Sequence, residues 1–220
     1  MSQSSEPVLD RITESGVVAI VRGIDADDAV DAVSALAAGG VRAIEITADT
    51  DGVLGMLRAV DDAVGDGVSI GVGTVLDAET ARAAMLAGAE FVITPSFDPA
   101  VVEVCNRYGK LVAPGVFTPT EAANAYAAGA DLVKVFPASS GGPAHVRALG
   151  GPLGHVPTMP TGGVGLENVA AYVDAGAVAV GVGSSLVDRE AIAAGDFDRL
   201  TETAERFRAR IDEARPDRNY

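Results

Sequence analysis

Two ionisable side chains stand where a buried strand should carry only aliphatic ones. In Leu132-Val133-Lys134-Val135-Phe136-Pro137 the two valines share one face and Lys134 points to the other, and in Ala43-Ile44-Glu45-Ile46-Thr47 the glutamate is set between isoleucines in the same way. A parallel strand covered on both faces reads as nearly continuous Val, Ile and Leu, so a charge in its middle needs an explanation. A lysine held in a low-dielectric interior loses solvation of its ammonium form, which favours the neutral, nucleophilic amine that Schiff-base formation with a ketone requires. A nearby carboxylate then shuttles the protons of dehydration and bond cleavage. The competing explanation is a structural ion pair, although a pair near the mouth of a barrel is a poor way to gain stability.

Glycine turns follow the last two strand-like runs: Pro160-Thr161-Gly162-Gly163-Val164 and Gly181-Val182-Gly183-Ser184-Ser185. Exposed backbone N–H groups in such turns hold a phosphate, and the alternative is that the glycines only let helix and strand pack closely. Gly71-Val72-Gly73-Thr74 brings the Thr74 hydroxyl to the end of a third run, where it is either a ligand or ordinary strand chemistry. Arg22, followed by Gly23, closes the first run, suited to a carboxylate or phosphate or else to a surface salt bridge. Cys105 lacks a histidine partner and reads as a small core residue, and neither His145 nor His155 is assigned a role.

The elements that must position these groups are eight β-like runs. They cover Val17 to Arg22, Ala43 to Thr47, Ser69 to Val75, Phe91 to Pro95, Leu111 to Val116, Leu132 to Pro137, Val156 to Thr161 and Val178 to Ser184. Alanine-rich helical stretches separate them. Asp25, Asp98 and the capping box Thr118-Pro119-Thr120-Glu121 mark helix starts. Ala38-Gly39-Gly40, Ala87-Gly88-Ala89, Ala128-Gly129-Ala130 and Ala175-Gly176-Ala177 mark helix exits. A repeated βα unit of this kind predicts a single α/β domain over residues 1–220, a (β/α)8 TIM barrel with frayed tails at 1–10 and 216–220, the main alternative being a doubly wound open sheet.

Composition narrows the chemistry further. With 31 acidic against 16 basic residues and a net charge of −15, the chain has no basic stripe for a nucleic acid. No apolar run is long enough to cross a bilayer, so a cytoplasmic protein is expected, with no membrane partner. One cysteine and two histidines make no zinc-like cluster, so metal chemistry would need carboxylates alone. Only Lys110 and Lys134 are lysines. A surface this acidic and this poor in lysine points to adaptation to high salt.

The ordered set Arg22-Gly23, Ile44-Glu45-Ile46-Thr47, Gly71-Val72-Gly73-Thr74-Val75-Leu76, Ile93-Thr94-Pro95, Pro114-Gly115-Val116-Phe117-Thr118-Pro119-Thr120-Glu121, Val133-Lys134-Val135-Phe136-Pro137-Ala138, Thr161-Gly162-Gly163-Val164 and Gly183-Ser184 resembles the 2-keto-3-deoxy-6-phosphogluconate aldolases and the similar 6-phosphogalactonate aldolases. The resemblance runs from about Val17 to Leu200. It implies a class I aldolase with no metal and no other cofactor, usually a homotrimer, that cleaves a phosphorylated keto-sugar acid to pyruvate and glyceraldehyde 3-phosphate, and often 4-hydroxy-2-oxoglutarate as well. On the matching positions Lys134 is the Schiff-base lysine and Glu45 the general acid/base. Thr74 and Pro95 border the pyruvate-derived carboxylate, Thr161 lies near the substrate chain, Gly162, Gly163, Gly183 and Ser184 hold the phosphate, and Arg22 reaches the substrate's anionic end. One position departs: gluconate-type members commonly have an arginine, and galactonate-type members a neutral amide, where this chain has Asp49. An aspartate there repels a carboxylate unless turned away, which leaves the sugar epimer open. The alternatives are a phosphosugar isomerase or epimerase on the same barrel and a non-catalytic phosphometabolite-binding protein.

Overall fold

A computed structural model describes residues 5–215. Strands and helices alternate along them: α1 (Glu6–Ser15), β1 (Val17–Val21), α2 (Ala26–Ala38), β2 (Ala43–Thr47), α3 (Val53–Val64), β3 (Ser69–Gly73), α4 (Ala78–Leu86), β4 (Phe91–Ile93), α5 (Pro99–Arg107), β5 (Leu111–Ala113), β6 (Gly115–Val116), α6 (Pro119–Ala127), β7 (Val133–Val135), α7 (Ala138–Leu153), β8 (Thr158–Pro160), α8 (Val169–Asp174), β9 (Val180–Val182), α9 (Arg189–Ala193) and α10 (Phe197–Glu213). Every expected run holds a strand; β2 fills its run from Ala43 to Thr47, and the others are shorter than their apolar stretches. The run Leu111 to Val116 is split because Pro114 has no N–H for the ladder. All named strand pairs are parallel. They form a six-stranded sheet in the order β5-β4-β3-β2-β1-β9 and a three-stranded sheet in the order β6-β7-β8. The parallel α/β architecture is therefore present, as a curled sheet in two pieces rather than one continuous eight-strand ladder. A parallel bridge pairs Thr161 with Gly181 between the two.

Alternation sorts the strand residues into two cores. Val17, Ala19, Val21, Ile44, Ile46, Ile70, Val72, Val92, Val112, Val135, Val180 and Val182 pack outward against the helices. Val18, Ala43, Phe91, Ile93, Leu111, Ala113, Leu132, Met159 and Ala179 pack inward as a second cluster. Glu45 and Lys134 belong by parity to the inward face. Residues 5–10, expected as part of a frayed tail, instead begin a helix. Val8 and Ile12 of α1 are 3% and 1% exposed and join the inward cluster, covering the end of the strands opposite the site. The reason is the apolar i, i+4 pair Val8 and Ile12, which the polar surroundings mask in sequence. Residues 1–4 and 216–220 lie outside the described residues.

The helix signals are realised in part. Asp98 accepts from the Ala100 amide, and Thr118 and Glu121 form a complete capping box. Asp25 occupies the N-cap of α2 without a side-chain bond. The exits through Gly40, Gly88, Gly129 and Gly176 are left-handed, with φ of 90°, 111°, 100° and 100°.

Candidate active site

The strand register sets the room around both charges. Glu45 lies opposite Ile20 on β1 and Gly71 on β3, and Lys134 lies opposite Gly115 on β6 and Met159 on β8. The Lys134 amide donates to the Pro114 carbonyl at 2.9 Å, so the break in the split strand also anchors β7. Gly73, two residues beyond Gly71, is needed for a sharper reason. A Cβ there would stand 2.3 Å from Glu45 Oε1, so the carboxylate occupies the space the glycine leaves.

A cavity of about 420 Å³ opens at the C-terminal ends of the strands. It is walled by all ten residues singled out from the sequence: Arg22, Glu45, Thr74, Pro95, Lys134, Thr161, Gly162, Gly163, Gly183 and Ser184. Glu45 is 1% and Lys134 5% exposed. Neither carboxylate oxygen of Glu45 has a hydrogen-bond partner among the described residues, and no Glu45–Lys134 ion pair within 4 Å is formed. Burial raises the Glu45 carboxyl above the usual carboxylate range, and the positive charges of Lys134 and Arg22 partly oppose that rise. A buried carboxyl beside a buried amine, with polar atoms unspent, is equipped to exchange protons with a bound molecule. Among the described residues no group of three or more His, Cys, Asp or Glu side chains is placed to hold a metal ion.

The rim is built around Arg22. Its guanidinium donates to the Asp49 carboxylate and, at 2.7 Å, to Thr74 Oγ1. Asp49 is thus turned onto Arg22 at the surface. Thr74 has φ of 57°, a left-handed conformation that a β-branched residue adopts only at a cost, and it sits just past the end of β3 with its hydroxyl fixed by Arg22. Gly162 and Gly163 have φ of 93° and 74°, and their N–H groups donate to no other described residue. Their carbonyl sides are tied down: the Ser139 amide donates to the Gly162 carbonyl at 3.0 Å, and Asn168 Nδ2 donates to the Gly163 carbonyl at 2.9 Å.

Val164, Gly181 and Ser185 of the two glycine turns also line the wall, while sequence reasoning assigned no site role to Ile20 and Phe136 in the wall or to Asn168 behind it. The Phe136 ring centroid lies 5.0 Å from Lys134 Nζ. Its i, i+2 spacing from Lys134 was the available signal. His145 serves structure, with Nε2 2.7 Å from the Phe117 carbonyl and its ring stacked on Phe117. Cys105 is buried, and burial pushes its thiol up to about 12.

Comparison with known proteins follows the same lines. The family model described as "Aldolase: KDPG and KHG aldolase" matches residues 8–203. The 2-dehydro-3-deoxy-phosphogluconate aldolase of Treponema pallidum (strain Nichols) is 40% identical over 194 residues, 88% of this chain and 90% of that protein. The 2-dehydro-3-deoxy-6-phosphogalactonate aldolase of Escherichia coli (strain K12) is 38% identical over 175 residues, 79% and 85% of the two chains. A crystal structure of the KDPG aldolase of Legionella pneumophila, with pyruvate captured at low pH as a covalent carbinolamine intermediate, superposes with a TM-score of 0.84 at 28% identity over 90% of this chain and 96% of that one. With a model match across most of its length and relatives of this identity, the chain belongs to the KDPG and KHG aldolase family.

Proposed function

We propose that this protein is a class I aldolase that cleaves a 2-keto-3-deoxy-6-phosphosugar acid to pyruvate and glyceraldehyde 3-phosphate through an imine on Lys134. The observation that carries the reading is the pairing of a buried amine and a buried, unbonded carboxylate on the inward face of one cavity whose rim carries glycine turns. Neutral Lys134 attacks the ketone carbon, and the carbinolamine loses its hydroxyl as water with a proton from Glu45. Glu45, now a carboxylate, takes the proton of the hydroxyl borne by the far carbon of the bond that breaks, the carbon that becomes the aldehyde. The bonding pair flows into the iminium, the phosphorylated aldehyde leaves, and the pyruvate enamine receives a proton from Glu45 before water hydrolyses the imine. Thr74, Pro95 and Arg22 border the carboxylate end, Thr161 the chain, and the free amides of the Gly162-Gly163 and Gly183-Ser184 turns receive the phosphate. The carbinolamine of the Legionella relative is the covalent state this sequence of steps passes through.

Three coarser expectations belong to the same reading. The two sheets form one closed (β/α)8 barrel in a single domain, supported by the Thr161–Gly181 bridge and by the Val178 amide donating to the Thr158 carbonyl at 3.0 Å. The enzyme works as a homotrimer in the cytoplasm, and light scattering at about three times 22.2 kDa tests the assembly. The acidic surface suits high salt. The deciding experiment is intact-protein mass spectrometry after incubation with pyruvate and borohydride, with peptide mapping. One reduced pyruvate on Lys134 supports the reading, with loss of the adduct and of cleavage in Lys134→Ala, whereas no adduct on folded protein overturns it.

A further inference from the structure

The catalytic cavity does not end at the glycine turns. A second cavity of about 280 Å³ adjoins it, sharing Ile20, Arg22, Gly183 and Ser184 and adding Val187 and Arg189. Two arginines line this lobe, and their charges are not equally available. Arg22 is held by Asp49 and Thr74, so its positive charge is already opposed by a carboxylate. Arg189 enters no ion pair among the described residues, and its guanidinium lies over Gly23, 3.6 Å from where a Cβ would stand. The adjacent Asp188 is engaged elsewhere, paired with Arg199 at 2.8 Å and capping the Glu190 and Ala191 amides. Gly183 and Ser184 border both cavities, so a phosphate seated on their amides faces the lobe that Arg189 lines.

We propose that Arg189 is the charged anchor for the phosphate end of the substrate, supplying from the second lobe, beside the Gly183-Ser184 turn, a positive charge that no described carboxylate already opposes. The proposal rests on the aldolase reading above. In a chain of net charge −15, a dianionic group needs a local cation to offset long-range repulsion. Its chemistry selects a terminal phosphate over a neutral hydroxymethyl end, so Arg189 sets preference along the substrate chain and takes no part in the carbon–carbon bond.

The test compares wild type, Arg189→Ala and Arg189→Lys, each first shown to form the reduced pyruvate adduct on Lys134. The ratio of kcat/KM for the phosphorylated keto-sugar acid to that for the phosphate-free 2-keto-3-deoxy sugar acid, which ends in a neutral hydroxymethyl group, falls roughly tenfold in Arg189→Ala, through KM rather than kcat, and Arg189→Lys recovers most of it. Inorganic phosphate, as a competitive inhibitor, loses affinity by a similar factor, and the difference shrinks in molar salt. An unchanged ratio and phosphate affinity in a variant that still forms the adduct overturns the proposal and leaves the aldolase reading standing. Absence of the adduct in wild type overturns the reading and the proposal with it.

Discussion

Glu45 carries a cost that its chemistry explains. Both oxygens are buried without a donor, and desolvation raises the carboxyl in the folded state above its unfolded value of 4.5. Because the folded state then holds the proton more tightly, this group's contribution to stability falls as pH rises from the unfolded value through the raised folded one. Glu45→Gln removes the ionisation while keeping the shape. At about pH 7 the variant is expected to melt higher than wild type, by about 2–4 °C for each kcal/mol recovered in a chain of this size, and the gain should vanish near pH 4. Turnover should fall about 10²–10⁴-fold, with the pyruvate adduct still partly formed. Thermal unfolding across pH alongside steady-state kinetics checks both, and a lower melting point at pH 7 would show that the lysine and arginine charges outweigh desolvation. Asp49 is legible in the sequence only as a departure from the family pattern, since its partner Arg22 lies 27 positions away and no local pattern announces the contact.

Between strands, the site depends on absent side chains as much as on present ones. β3 has glycine at 71 and 73, the inward positions facing β2: Phe91 fills the space beside Gly71 and the Glu45 carboxylate the space beside Gly73. Gly73 has an ordinary strand conformation, so Gly73→Ala meets no backbone penalty and the whole effect comes from the 2.3 Å approach to Glu45 Oε1. The variant should fold with a loss of about 1–3 kcal/mol. It should also lower kcat more than tenfold by displacing the carboxylate, while pyruvate still labels Lys134. Urea unfolding with adduct mapping and kinetics separates these effects, and a full kcat would show that Glu45 can act from another rotamer. The strand periodicity and helix caps that build these elements were readable residue by residue. The roles of Gly71 and Gly73 were not, because a glycine's neighbour across a sheet is set by register.

For the molecule as a whole, charge is the dominant surface property. Asp25, Asp27, Asp31, Asp51, Asp61 and Asp62 are all exposed, and the net charge is −15. Screening shortens the Debye length from about 10 Å at 0.1 M to about 3 Å at 1 M salt, so repulsion between such groups is relieved in concentrated salt. The melting temperature should therefore rise from about 0.1 M to above 1 M potassium chloride. A melting temperature that does not change over that range would show that the acidic surface is not a folding liability in dilute buffer.

The sequence by itself determined the alternation of strand and helix, the parity that puts Lys134 and Glu45 on the inward face, and the resemblance that names the chemistry. These follow from local periodicity, cap chemistry and ordered motifs, all encoded within a few residues. Only the tertiary structure decided that α1 covers the far end of the strands, that Pro114 divides the sheet, that Asp49 holds Arg22, and that Arg189 opens a second lobe beside the glycine turns. Each of these depends on residues far apart in the chain meeting in space, and their side-chain types do not specify that meeting until the strand register and the helix packing are fixed.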